Sequence, residues 1–227
     1  MIEISREGDV RILRMTKPGN TLEPGFLRTV HEALDTIEAD ADGAAGLVIT
    51  GSGKSFSNGL DLELLPTLPE EERRAMGPLI LGLMRRLMSS KLPVVAALNG
   101  HAFAGGAFFA LACDFRVMRE DRGWFCISEV DVGVPIGRPM MSIAETKLTP
   151  AVLRTAVLSG RRYTGPEALE AGIVDAVASE EGLVAAASEL AQQMATKERG
   201  IFGNCKEMLF AAPLAEIDAV VPRSEEQ

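Results

Sequence analysis

Glu129 stands in an apolar run, Cys126-Ile127-Ser128-Glu129-Val130-Asp131-Val132-Gly133-Val134-Pro135. Burial disfavours a charged carboxylate, so such a group keeps its proton to higher pH than it would in water. It can then take up a proton and return it, the two halves of general acid–base catalysis. The commoner occupant of such a position is a Glu that caps a helix or pairs in a loop. Two glycine-bearing turns precede it. Ser55-Phe56-Ser57-Asn58-Gly59-Leu60-Asp61 is a small, polar turn that leads toward a helix start, where free backbone N–H groups can bind an oxyanion. An ordinary turn with Asp61 as helix cap is the bland alternative. Asn99-Gly100-His101-Ala102-Phe103-Ala104-Gly105-Gly106-Ala107 places glycines where a ligand could approach the backbone, or where a helix packs tightly on a strand. It is neither G-x-G-x-x-G nor a P-loop. Ser57 and His101 could serve a hydrolase, but the G-x-S-x-G elbow is missing. His31 and His101 are the only histidines and form no metal-binding cluster; His31 reads as a surface residue.

These three segments each follow a run that reads as a strand, so an alternating α/β framework must carry them. Strands are expected at 2–5, 10–15, 46–50, 94–98, 115–118, 124–127 and 173–177. Phe26, Leu27, Val30, Leu34 and Ile37 recur at helical spacing over 24–39, as do Met76, Leu79, Ile80, Leu83, Met84, Leu87 and Met88 further on. That second stripe suits either core or the lining of an adaptable acyl tunnel. Gly105–Ala112 is apolar all round and reads as a buried helix. Thr149, Pro150 and Gly160 bracket a helix over 150–159, and helices fill 180–196 and part of 203–218. The segment bounded by Pro66 and Pro69 reads as surface loop.

The chain has 227 residues, 47% hydrophobic and 24% charged, which suits one sizeable globular core. Its net charge of −9 argues against nucleic acid and anionic membranes as partners. Three scattered cysteines, Cys113, Cys126 and Cys205, fit a reducing compartment such as the cytoplasm. Residues 1–175 are expected to hold the core and the site, with 176–227 as a helical region of the same domain, serving assembly and cover.

The order and spacing of these segments resemble the enoyl-CoA hydratase/isomerase (crotonase) family. The likeness runs from Leu47-Val48-Ile49-Thr50-Gly51 through Ser55–Asp61, Lys91–Gly100, Ala102–Asp114 and Ser128–Gly133 to Ala168-Leu169-Glu170-Ala171-Gly172-Ile173-Val174-Asp175. It implies a spiral of ββα units, homotrimers or pairs of trimers, and acyl-CoA thioester substrates with no cofactor beyond their own CoA. Carried over residue by residue, the oxyanion hole falls on the N–H groups of Asn58 and Gly105. Substrate contacts fall on Ser57, Asn58, Gly59, Leu60, Asp61, Gly105, Phe108 and Lys17, the last in the family's adenine-phosphate loop, with Lys54 as a second cation. Family hydratases use two glutamates around a water. One of those positions is Phe108 here, and the other is Glu129. A single carboxylate suffices to carry a proton from C2 to C4, so S-E-V-D-V-G and F-S-N-G-L-D resemble the isomerase branch. The resemblance leaves open a hydratase or lyase reaction, or a silent acyl-CoA-binding subunit. Asp131 would share a face with Glu129 if that segment were extended.

Overall fold

The computed structural model describes residues 1–221. The chain winds through four ββα repeats. They are β1 (Ile2–Glu7), β2 (Val10–Met15) and α1 (Pro24–Ala39); β3 (Gly46–Gly51), β4 (Ser55–Ser57) and α2 (Glu70–Ser89); β5 (Val94–Leu98), β6 (His101–Phe103) and α3 (Gly105–Ala112); then β7 (Phe115–Arg119), β8 (Phe125–Cys126) and the single turn α4 (Glu129–Val132). From β3 onward the first strand of each repeat enters a six-stranded sheet, β1-β2-β3-β5-β7-β9, whose last strand β9 is Ala176–Ala178, and the second enters a three-stranded sheet, β4-β6-β8. This is the crotonase fold that the resemblance implied.

Burial explains the strand types. GLVITG and VVAAL are buried at every position, as parallel strands covered on both faces must be. β1 is the exposed edge, antiparallel to β2, and carries Glu3, Arg6 and Glu7, charges that discourage further pairing. α5 (Arg138–Lys147), α6 (Pro150–Ser159) and α7 (Gly165–Glu170) follow. β9 (Ala176–Ala178) then pairs with Val117–Arg119, so the sheet extends past residue 175. Ile173 and Val174, expected in that strand, instead close the turn after α7, where both N–H groups donate to the Ala168 carbonyl. The 150–159 helix forms as its residues suggest, with Thr149 Oγ1 accepting from Val152 N–H and Gly160 in the left-handed conformation. α5 was not expected from the sequence; Pro139 sits in its first turn, where the missing N–H costs nothing.

α8 (Leu183–Ala195) covers one face of the large sheet, with Leu183, Ala187 and Ala191 against Val48, Val95 and Val117. The other face meets the main core with α1, α2 and α3. His31 is half-buried between α1 and α2, its Nε2 3.2 Å from the Leu79 carbonyl, so it is not a free surface residue. α9 (Arg199–Leu209) and α10 (Ala211–Asp218) close the chain. Lys206 fastens α9 to the core. Its buried ammonium donates to the Leu87 and Leu92 carbonyls at 2.8 and 3.3 Å and to Asp114 Oδ2 at 2.9 Å. Asp114 Oδ2 also accepts the Val94 N–H, at the head of β5. Lys206→Met would leave a buried carboxylate short of a partner. We expect a loss of about 3 kcal/mol in stability, measured by urea unfolding.

Candidate active site

β4 and β6 are three-residue strands that end side by side and deliver two loops to one place. A Cβ added to Gly59 would sit 2.8 Å from both Gly105 N and the Phe103 carbonyl, so the two backbones touch there. Gly59 also has a φ of 74°, which glycine alone adopts cheaply. Gly106 packs against Ser57 in the same way, with a Cβ placed 2.7 Å from the Ser57 carbonyl carbon.

The expected oxyanion pair needs one correction. The Asn58 N–H already donates to the Gly19 carbonyl at 2.9 Å and has nothing left to offer. Among the described residues the Leu60 N–H has no acceptor, and neither does the Gly105 N–H at the first position of α3. Both residues line a cavity of about 490 Å³, together with Glu129 and the side chain of Asn58. The free donors that Gly59 brings together are therefore those of Leu60 and Gly105.

Ala104 precedes α3 with φ 48° and ψ −124°, a conformation that suits glycine and strains an L-residue. The surrounding packing imposes this turn, which sets Gly105 on the cavity wall. Ala104→Gly should raise stability by about 1 kcal/mol, seen as a higher melting temperature.

Glu129 is 5% exposed, and its Oε2 has no hydrogen-bond partner. Desolvation by the surrounding apolar side chains pushes its carboxyl up to about 7. The segment is a helical turn rather than a strand, so Glu129 and Asp131 do not share a face by alternation. Asp131 nevertheless reaches the cavity wall.

Other expected contacts lie off that wall. Phe108 is fully buried among core side chains, because α3 is covered on every side. Ser57 Oγ donates to the Asn20 carbonyl at 2.8 Å and accepts from Gly59 N–H, which braces the loop. Asp61 caps the following turn by accepting from Glu63 and Leu64 N–H. Lys17 is committed to Glu23, at 2.9 Å, and to Thr21 Oγ1. Lys54 is exposed, and among the described residues its side chain has no hydrogen-bond or ion-pair partner. Ser57 and His101 do not meet; His101 stacks on Phe103 instead, 5.1 Å between ring centroids. Among the described residues no group of His, Cys, Asp or Glu could hold a metal, and no helix is long and apolar enough to cross a membrane.

Sequence reasoning missed several wall residues. Gly77 and Leu81 flank the α2 stripe, whose Ile80 was read as core or tunnel lining and does reach the wall; Pro139 and Met140 come from the unforeseen α5, and Arg162 from the segment after α6. Only the α2 residues carried a signal, through their helical spacing.

Residues 5–219 match the family model described as enoyl-CoA hydratase/isomerase. Enoyl-CoA delta isomerase 2, peroxisomal, of Arabidopsis thaliana is 34% identical over 207 residues, covering 87% of this chain and 86% of the relative. A putative enoyl-CoA hydratase of Thermus thermophilus is 32% identical, covering 94% and 85%. The crystal structure of a probable enoyl-CoA hydratase from Mycobacterium tuberculosis superposes with a TM-score of 0.89 at 30% identity, covering 96% of this chain and 92% of that one. The chain belongs to the enoyl-CoA hydratase/isomerase family.

Proposed function

We propose that this protein moves the double bond of a 3-enoyl-CoA to position 2. Glu129 takes a proton from C2 and returns it to C4. The N–H groups of Leu60 and Gly105 hold the thioester oxygen as it gains charge; one such donor contributes roughly 10²–10³ in rate. The observation that carries this reading is the lone buried carboxylate with a free oxygen on the cavity wall. A carboxyl near pH 7 serves equally well as base and acid. The chemistry calls for no cofactor beyond the CoA of the substrate.

The isomerase names among its relatives support this, while hydratase and dehydratase names stand beside them. What favours isomerisation over hydration is Phe108, an inert buried ring where a second glutamate would hold water. The test mixes purified protein with a 3-enoyl-CoA and follows the conjugated 2-enoyl product. Accumulation of 3-hydroxyacyl-CoA would move the assignment to a hydratase, and Asp131 would then be the first partner to examine. No turnover with intact acyl-CoA binding would mark a silent binding subunit.

We also infer that copies of the chain assemble, as a trimer or pair of trimers, through the C-terminal helices. Ile201, Met208 and Leu209 lie at i, i+7 and i+8 of α9, each about two-thirds exposed. Such a stripe on a helix suits a partner. Native mass spectrometry reads the subunit number, and Met208→Lys should lower it. We place the assembly in the cytoplasm, on the strength of the scattered cysteines.

A further inference from the structure

Arg162 borders the same cavity as Glu129, and proton transfer gives it no task. Its guanidinium lies over two rings, 5.7 Å from the centroid of Phe103 and 5.2 Å from that of Trp124. Among the described residues it forms no ion pair and no hydrogen bond. Its neighbour Arg161, by contrast, pairs with Glu167 at 3.2 Å. Arg162 is exposed, and the aromatic faces hold its guanidinium at the cavity wall without using its N–H donors. Asp131, the acid that shares this wall, is turned toward Gly160, where an added Cβ would meet its Oδ1 at 3.1 Å. An oriented cation with unused donors on a reaction cavity is a receptor for an anion, and a carboxylate matches its fork.

Distance indicates which part of the substrate meets it. Phe103 and Gly105 are two residues apart, at most about 7 Å between Cα atoms. The Phe103 ring under the guanidinium, Gly105 and Arg162 itself border one cavity, so an acyl group held at Gly105 can present its far end to Arg162. The phosphates of CoA are held off from that carbonyl by the whole pantetheine arm. We propose that Arg162 binds a carboxylate at the distal end of the acyl group, and that the preferred substrates are CoA monothioesters of short unsaturated dicarboxylic acids. This rests on the isomerase reading of the site and names its substrate class.

The test uses saturated ligands, which the enzyme cannot turn over. Calorimetry compares adipoyl-CoA with hexanoyl-CoA, which differ in the distal carboxylate. The wild type should bind adipoyl-CoA about tenfold more tightly. Arg162→Met should bring that ratio to about one, and Arg162→Lys should keep part of it. A ratio of two affinities on one variant does not depend on the fraction that is folded. Equal affinities in the wild type, or a preference that survives Arg162→Met, would overturn the proposal. So would an equal weakening of both ligands, which would assign the cation to the CoA phosphates. Isomerisation of 3-hexenoyl-CoA by the wild type is measured alongside. Its absence, together with no isomerisation of 3-hexenedioyl-CoA, sinks the isomerase reading, while the binding ratio still decides the role of Arg162.

Discussion

Glu129→Gln should lower the isomerisation rate by about 10²–10⁴-fold while acyl-CoA still binds. The amide keeps the size and shape of the carboxyl but cannot shuttle a proton. In the wild type the catalytic base is the ionised form, and desolvation holds its titration near 7. The value of kcat/KM should therefore climb tenfold per pH unit below about 7 and level off above it. A profile already flat at pH 5 would mean that Glu129 is solvated or is not the base.

The same burial has a consequence for stability. In the unfolded chain the carboxyl titrates at its ordinary value, near 4.3. Between that value and about 7 the folded state binds the extra proton, so stability falls as pH rises through this window. Above it the ionised carboxylate burdens the fold by about 3–4 kcal/mol. Glu129→Gln carries no such burden. At pH 8 the inactive variant should melt at a higher temperature than the wild type, and at pH 4 the two should nearly coincide. Equal melting at both pH values would show that the carboxyl is not desolvated in the free enzyme.

The framework was legible in the residues wherever a segment was long or closed by a cap. α1 follows from its apolar stripe, α6 from Thr149, Pro150 and Gly160, and β3 and β5 from their unbroken apolar runs. The small sheet was legible only in β8, which falls within the strand expected at 124–127. β4 and β6 have three residues each, too few for alternation to show, and their pairing is tertiary. The site follows the same division. Glu129 stood out as a charge among apolar neighbours. The donor on the first loop could not be told apart from its neighbours, because Asn58 and Leu60 both flank Gly59. The Asn58 N–H is withdrawn by the Gly19 carbonyl, 39 residues away in the chain. Arg162 gave no signal either, since its role depends on rings from β6 and from the residue before β8.

Gly59→Ala is the substitution that tests the oxyanion donors. A backbone N–H cannot be deleted by changing a side chain, but its aim can be spoiled. The new methyl would lie 2.8 Å from Gly105 N and from the Phe103 carbonyl, and 3.2 Å from Ala104 Cβ. The two closest atoms are backbone, so the loops themselves must separate. The Leu60 and Gly105 N–H groups would then no longer converge on one oxygen. Loss of one donor corresponds to about 10²–10³ in kcat, with a smaller change in KM, because the charge they stabilise develops in the transition state. A φ of 74° also makes alanine costly there, by about 1–2 kcal/mol. Gly8→Ala separates the two effects. Gly8 has a φ of 59° with nothing within 4 Å of an added Cβ, so it carries the strain without the collision. Gly8→Ala should lose stability and keep its kcat. Equal kcat values for the two folded variants would remove Leu60 and Gly105 from the reaction, and the thioester oxygen would have to be held elsewhere.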